Sequence, residues 1–215
     1  MKLPLRLLAL RTPVMSLRIA LVMLAAVVPA VAQAANLVNN PDFRVDAAGW
    51  TIQITGDASA SVTAVDGSPD GGSLEIRVTG SDLFEPGSVT VNQCIPSFGP
   101  GPWVFGGRLR QVSSTGAFTQ GLSVDFLQMP NCGVGLTRST YADPGATVPG
   151  VQGSYVQYSG AVAADPLPGG GPTQSVLISY QLFSTFGTTT VFRLDHVYFG
   201  PPGTTPVELM RFDVQ

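Results

Sequence analysis

Lysine occurs once in this 215-residue chain, at position 2, and histidine once, at position 196. Charged residues make up only 12% of the sequence. Four of the eleven basic residues, Lys2, Arg6, Arg11 and Arg18, precede residue 35, and no acidic residue does. The remainder holds seven arginines against fourteen acidic residues, a net charge of −7. A chain so poor in cations is unsuited to a polyanion, which excludes a nucleic-acid partner. One histidine leaves little for a histidine-based catalytic or metal centre. No G-x-S-x-G, H-E-x-x-H or glycine-rich phosphate loop is present. After residue 34 there are three glutamates, Glu75, Glu85 and Glu208. A glycosidase needs two carboxylates facing each other across a cleft. Glu75 points outward from an alternating strand, Glu85 precedes a proline in a loop, and Glu208 lies in the tail. Catalysis is therefore not expected.

Amphipathic runs of helical period are also missing beyond residue 34. The one long apolar run, residues 19–31, follows the basic stretch and leads to Ala32-Gln33-Ala34, an A-x-A cleavage pattern. A membrane anchor is the competing reading, but the uninterrupted run is short of the roughly 20 residues a span requires. Residues 1–34 are expected to be a cleaved signal peptide, with Met15 as a second candidate start. The product is then secreted or periplasmic, a protein of the cell envelope without a transmembrane anchor. Two cysteines, Cys94 and Cys132, complete the scarce residues. In an exported chain a disulfide is the default. Free thiols are the alternative, and a metal site is disfavoured because neither cysteine has a nearby ligand partner.

What is plentiful is glycine, proline and short alternating runs. Residues 73–79, SLEIRVT, place Leu74, Ile76 and Val78 on one face and Glu75 and Arg77 on the other. Residues 191–199, VFRLDHVYF, read as a strand stopped by Gly200-Pro201-Pro202. Regular alternation there puts Asp195 and His196 on opposite faces, so they form no dyad. Further strands are expected at 51–55, 59–65, 88–94, 103–112, 121–129, 155–163 and 174–183. The first two suit an antiparallel pair joined at Gly56-Asp57. Gly106-Gly107 marks a bulge or close approach. Residues 130–149 read as irregular. Roughly nine strands separated by turns predict an all-β fold, a jelly-roll sandwich of two antiparallel sheets over residues 35–200. Residues 201–215 read as a tail or one short extra strand.

Such a domain can bind sugars by stacking aromatic rings on apolar C–H faces and bonding hydroxyls with amides. Ring candidates are Trp103, Tyr141, Tyr155, Tyr158, Tyr180, Phe183 and Phe186. Polar candidates are Gln93, Gln128, Gln157 and Gln181. Each also has a plain reading as a core or surface residue. Tyr155 and Tyr158, three apart, lie on opposite faces of a regular strand.

The opening NLVNNPDFRVDAAGW resembles the N-L-x-x-N-x-x-F-E…G-W start of secreted galactose-binding-like carbohydrate-binding modules. VTVNQC with WVFGGRLR, GSYVQYSGAVAADPLPGGG and LDHVYF are similar to three later motifs of that group, in the same order. The resemblance implies a jelly roll and non-catalytic carbohydrate binding. A structural or protein-interaction module of the cell envelope is the alternative. Many such modules hold calcium through a Glu after the Phe and the first Asp of a closing D-D-V. Here Asp195 is kept but Arg44 replaces the Glu. The resemblance thus implies a calcium site either lost or rebuilt with Asp42 or Asp46, and an Arg44–Asp195 ion pair as a metal-free substitute. No cofactor is otherwise expected.

Overall fold

A computed structural model describes residues 35–64, 71–80, 86–96, 101–133, 137–142, 154–162 and 173–204. The expected signal peptide, Glu85, Asp143, the 165–172 loop and the 205–215 tail lie outside them. Ten strands form two antiparallel sheets. They are β1 (Thr51–Thr55), β2 (Asp57–Thr63), β3 (Ser73–Thr79), β4 (Ser88–Ile95), β5 (Trp103–Ser114), β6 (Phe118–Leu127), β7 (Thr137–Ala142), β8 (Val156–Val162), β9 (Ser175–Ser184) and β10 (Thr189–Gly200). The first sheet runs β1-β4-β9-β6-β7 and the second β2-β3-β10-β5-β8. This is the expected all-β jelly-roll sandwich.

The core is made by the inward phase of each alternating strand. Leu74, Ile76 and Val78 of β3 meet Val89 and Val91 of β4, Ile178 and Leu182 of β9, and Phe192 and Leu194 of β10. Removing this much apolar surface from water is the main term holding the sheets together.

Two expectations need correction. β1 and β2 are not a hairpin pair, because β1 pairs with β4 and β2 with β3. Gly56, at φ +68°, carries the chain from one sheet to the other, a conformation glycine adopts without strain. A strand, β7, lies inside the stretch read as irregular. Of the bulge or close approach expected at Gly106-Gly107, the second is found there; the bulge is on the partner strand, where the β10 register shifts between Asp195 and Tyr198. Gly106 is the close approach, since a Cβ there would lie 2.1 Å from the Tyr158 carbonyl oxygen.

The disulfide is formed. Cys94 and Cys132 are joined with their Cα atoms 5.8 Å apart. The bridge fastens the turn after β6, Pro130–Cys132, to the end of β4.

Candidate functional site

Two places concentrate polar side chains. One is the β10 bulge. His196 has φ +48°, which breaks the strand alternation. Phe192 and Leu194 face the core before the bulge, Val197 and Phe199 after it. The expectation that Asp195 and His196 face apart is thereby overturned. His196 Nε2 lies 3.8 Å from Asp195 Oδ2, and His196 Nδ1 lies 2.7 Å from Asp42 Oδ1. Asp195 Oδ1 accepts the His196 backbone N–H at 2.8 Å. Asp195 and His196 are both buried, as a charged group can be when it is paired.

The opening segment closes this pocket. Asn40 and Phe43 both adopt positive φ, turning Asp42 toward the bulge. Gly72 is required opposite them, since a Cβ there would come within 2.6 Å of Arg44 Cα. Arg44 Nε stands 3.6 Å from Asp42 Oδ2. The hydrogen bond from His196 holds the Asp42 carboxyl below its ordinary range, against the opposing effect of burial and helped by the His196 and Arg44 charges.

Asp42, Asp195 and His196 offer three ligand atoms within 4.8 Å of one another, a donor set for a divalent ion. Calcium takes six to eight oxygens, and this set has two carboxylates, an imidazole nitrogen and an adjacent guanidinium. Calcium would need oxygen donors beyond these three; nitrogen with carboxylate is also a donor set for ions such as zinc. Asp46, named with them in the sequence, is instead a turn residue. Its Oδ1 accepts from Ala48 N at 3.0 Å and Asn40 Nδ2 at 3.3 Å.

The second place is the outer face of the first sheet. Residues directly opposite each other across an antiparallel pair share a face. Gln53, Thr90, Gln181 and Gly121 therefore form one row across four strands. Thr51, Asn92, Ser179 and Ser123 form the next. Beyond lie Cys94, Leu177 and Asp125. At the other end lie Thr55, Ser88, Phe183 and Thr119. Gln53 and Gln181 are exposed, and a Cβ at Gly121 would meet nothing within 4 Å. Asn92 Oδ1 is shielded and accepts no hydrogen bond, an acceptor on this face that the protein itself leaves unsatisfied.

The sequence candidates divide unevenly between these places. Gln181 belongs to the first row. Tyr180 points the opposite way, fully buried, with its hydroxyl donating to Gln120 Oε1 at 2.9 Å. Burial, with the nearby Tyr158 adding to it, pushes the Tyr180 hydroxyl well above its ordinary value. Trp103 is only 3% exposed and stacks on Phe199, ring centroids 5.4 Å apart. Neither ring is a sugar platform in this fold. Gln93 is also structural. It accepts from Asn39 N at 2.7 Å and donates to Asn39 O at 2.8 Å, pairing like a strand with the opening segment. Tyr155 is half-buried just before β8, and Tyr158, half-buried, packs on the core, its hydroxyl raised by burial. Tyr141 sits in β7 opposite Ser123; its side chain lies outside the described residues. Among the ring candidates, Phe183 and Phe186 are exposed, and Phe183 is on the outer face. Gln53, Thr90, Asn92, Gly121 and Asp125 were missed, although their strand phase, opposite the apolar residues, was the available signal.

The jelly-roll fold resembles that of several solved β-sandwich domains. A carbohydrate-binding module of the β-sandwich superfamily superposes with TM-score 0.52 at 12% identity, over 70% of this chain and 56% of that one. A family 16 carbohydrate-binding module gives TM-score 0.50 at 9% identity, over 76% and 99%. The enzymatically active domain of bacteriophage CBA120 tailspike protein 4 gives 0.51 at 17% identity. There 77% of this chain is covered but only 21% of the tailspike chain. No family model and no curated protein matches the sequence. At these identities the likeness is one of fold.

Proposed function

We propose that this protein is a non-catalytic carbohydrate-binding module, and that it binds through the outer face of the first sheet. The observation that carries the proposal is the row Gln53–Thr90–Gln181–Gly121, in which Gln53 and Gln181 are exposed. Amides and hydroxyls there offer donors and acceptors in the mixture that sugar hydroxyls require. The fold similarity to carbohydrate-binding modules supports the same reading.

A role without catalysis is supported by the chemistry of the bulge pocket. Its described lining is Asp42, Arg44, Gly71, Gly72, Asp195 and His196, with no hydroxyl or thiol nucleophile beside the histidine. Glu75 is engaged by Arg193, whose Nε and Nη2 donate to Oε2 at 3.1 and 2.8 Å. Calcium is not required in this reading, because the pocket's carboxylates already face His196 and Arg44.

We also propose export, with residues 1–34 removed. The Cys94–Cys132 bridge favours an oxidising compartment. No helix among the described residues is long and apolar enough to cross a membrane.

The competing reading is a protein-interaction module of the envelope. The burial of Trp103 and Tyr180 favours it, since a stacking platform is absent at both positions. Calorimetric titration of soluble glycans separates the two. Saturable binding that weakens in Gln181→Ala, with an unchanged melting curve, supports the module. Failure of every glycan to bind leaves the interaction reading.

A further inference from the structure

The two ring nitrogens of His196 are held differently. Nδ1 is 2.7 Å from Asp42 Oδ1, and an ionised carboxylate only accepts, so Nδ1 is the N–H donor of this bond. In the neutral imidazole the lone pair then lies on Nε2. Nε2 stands 3.8 Å from Asp195 Oδ2, too far for a hydrogen bond. A nitrogen lone pair and a carboxylate oxygen therefore face each other across a gap, on two side chains that are both buried. The positive φ of His196 is what brings ring and carboxylate to one side of β10. Asp42, Arg44, Gly71 and Gly72 complete the lining of the cleft.

We propose that this gap binds one divalent transition-metal ion of the zinc class, with His196 Nε2 and Asp195 Oδ2 as its protein ligands and Asp42 as the positioning residue. A ligating histidine as a rule gives its other ring N–H to a carboxylate, which fixes the tautomer and the ring orientation. Asp42 does this here, from the opening segment. The charges around the gap select the kind of ion. Arg44 Nε lies 3.6 Å from Asp42 Oδ2, and Arg108 lies opposite Asp195 across the β5–β10 pair. Two guanidiniums beside two carboxylates leave little net charge to attract a hard cation, which binds through charge on six to eight oxygens. An imidazole nitrogen offers a lone pair rather than charge. A borderline-soft ion takes it together with a carboxylate, and water completes the shell. The site thus differs from the calcium site implied by the family resemblance, in which an acidic residue stands where this chain has Arg44. It is independent of the carbohydrate-binding reading.

The test uses protein stripped with chelator and free of any histidine tag. His196 is the only histidine of the chain, so NMR of the isotope-labelled ring nitrogens reads this site alone. Zinc should shift the Nε2 signal and leave the proton on Nδ1. Calorimetry should show one ion bound per chain, with a raised melting temperature because the folded state alone holds it. Calcium at the same concentration should do neither. His196→Asn, a residue that tolerates positive φ, should abolish zinc binding. Asp42→Asn should weaken it about ten- to hundredfold. Arg44→Gln removes a neighbouring positive charge and should strengthen it. An Nε2 signal that does not move in excess zinc overturns the proposal without recourse to any variant. Movement of Nδ1 in its place overturns the ligand assignment. Zinc bound equally by wild type and His196→Asn is an adventitious ion only. Calcium bound more tightly than zinc overturns the choice of ion.

Discussion

His196 Nδ1 and Asp42 Oδ1 are 2.7 Å apart, and this pair joins the opening segment to the bulge of β10. Backbone bonds reinforce it. Val197 N donates to Pro41 O at 3.1 Å, and Leu37 N donates to Phe199 O at 2.9 Å. Asn36 adds Nδ2–H to Val197 O and accepts from Phe199 N. The bulge is what lets one strand offer both carboxylate and imidazole to a single pocket.

This pair makes stability depend on acid. The Asp42 carboxyl has a lower pKa folded than in the unfolded chain, chiefly through its bond with His196. Its contribution is complete above the ordinary carboxylate range and is lost as pH falls through the lowered folded value. The melting temperature should fall on acidification below about pH 4. Asp42→Asn should cost about 1.5–3 kcal/mol near neutrality and flatten that acid limb. Superimposable acid limbs in the two proteins would refute the linkage.

Trp103 and Tyr180 should behave as core residues. Trp103→Ala is expected to cost about 3–5 kcal/mol of folding, visible in a denaturant melt. Tyr180→Phe keeps the ring but removes the donor to Gln120 Oε1. It should cost about 1–3 kcal/mol, because the amide stays buried. A Trp103→Ala protein with wild-type stability and impaired glycan binding would contradict the packing described.

Gln93 should matter more than an ordinary strand glutamine. Gln93→Ala leaves the Asn39 N–H and C=O without their side-chain partners. A loss of about 1–3 kcal/mol is expected, with hydrogen exchange rising first in residues 36–50. Uniform exchange across the domain would mean that the opening segment is not a separable unit.

The bridge and the metal question each allow a direct measurement. Alkylation of the unreduced protein should add no label, and Cys132→Ser should cost about 2–5 kcal/mol. Millimolar calcium in place of chelator should barely move the melting temperature, given the donor set at Asp42, Asp195 and His196. A ligand held by the folded state alone would raise it, so a large calcium-dependent rise would show oxygen donors beyond these three.

The sequence by itself determined the strands and their apolar phase. SLEIRVT became β3 with the bounds expected, because period-two alternation is a local property of the chain. The same rule placed Tyr180 with Val176, Ile178 and Leu182. That grouping already argued against a platform role, since a ring sharing a face with three aliphatic residues is buried with them. The tertiary structure alone decided which strands became neighbours. β1 and β2 adjoin in sequence yet enter different sheets, β1 beside β4 and β2 beside β3. It alone decided the parity change at His196, where a positive φ that alternation cannot foresee is held by Asp42, 154 positions away in the chain. It also placed Gln53, Thr90, Gln181 and Gly121 in one row, since register between strands comes from packing of the opposite face.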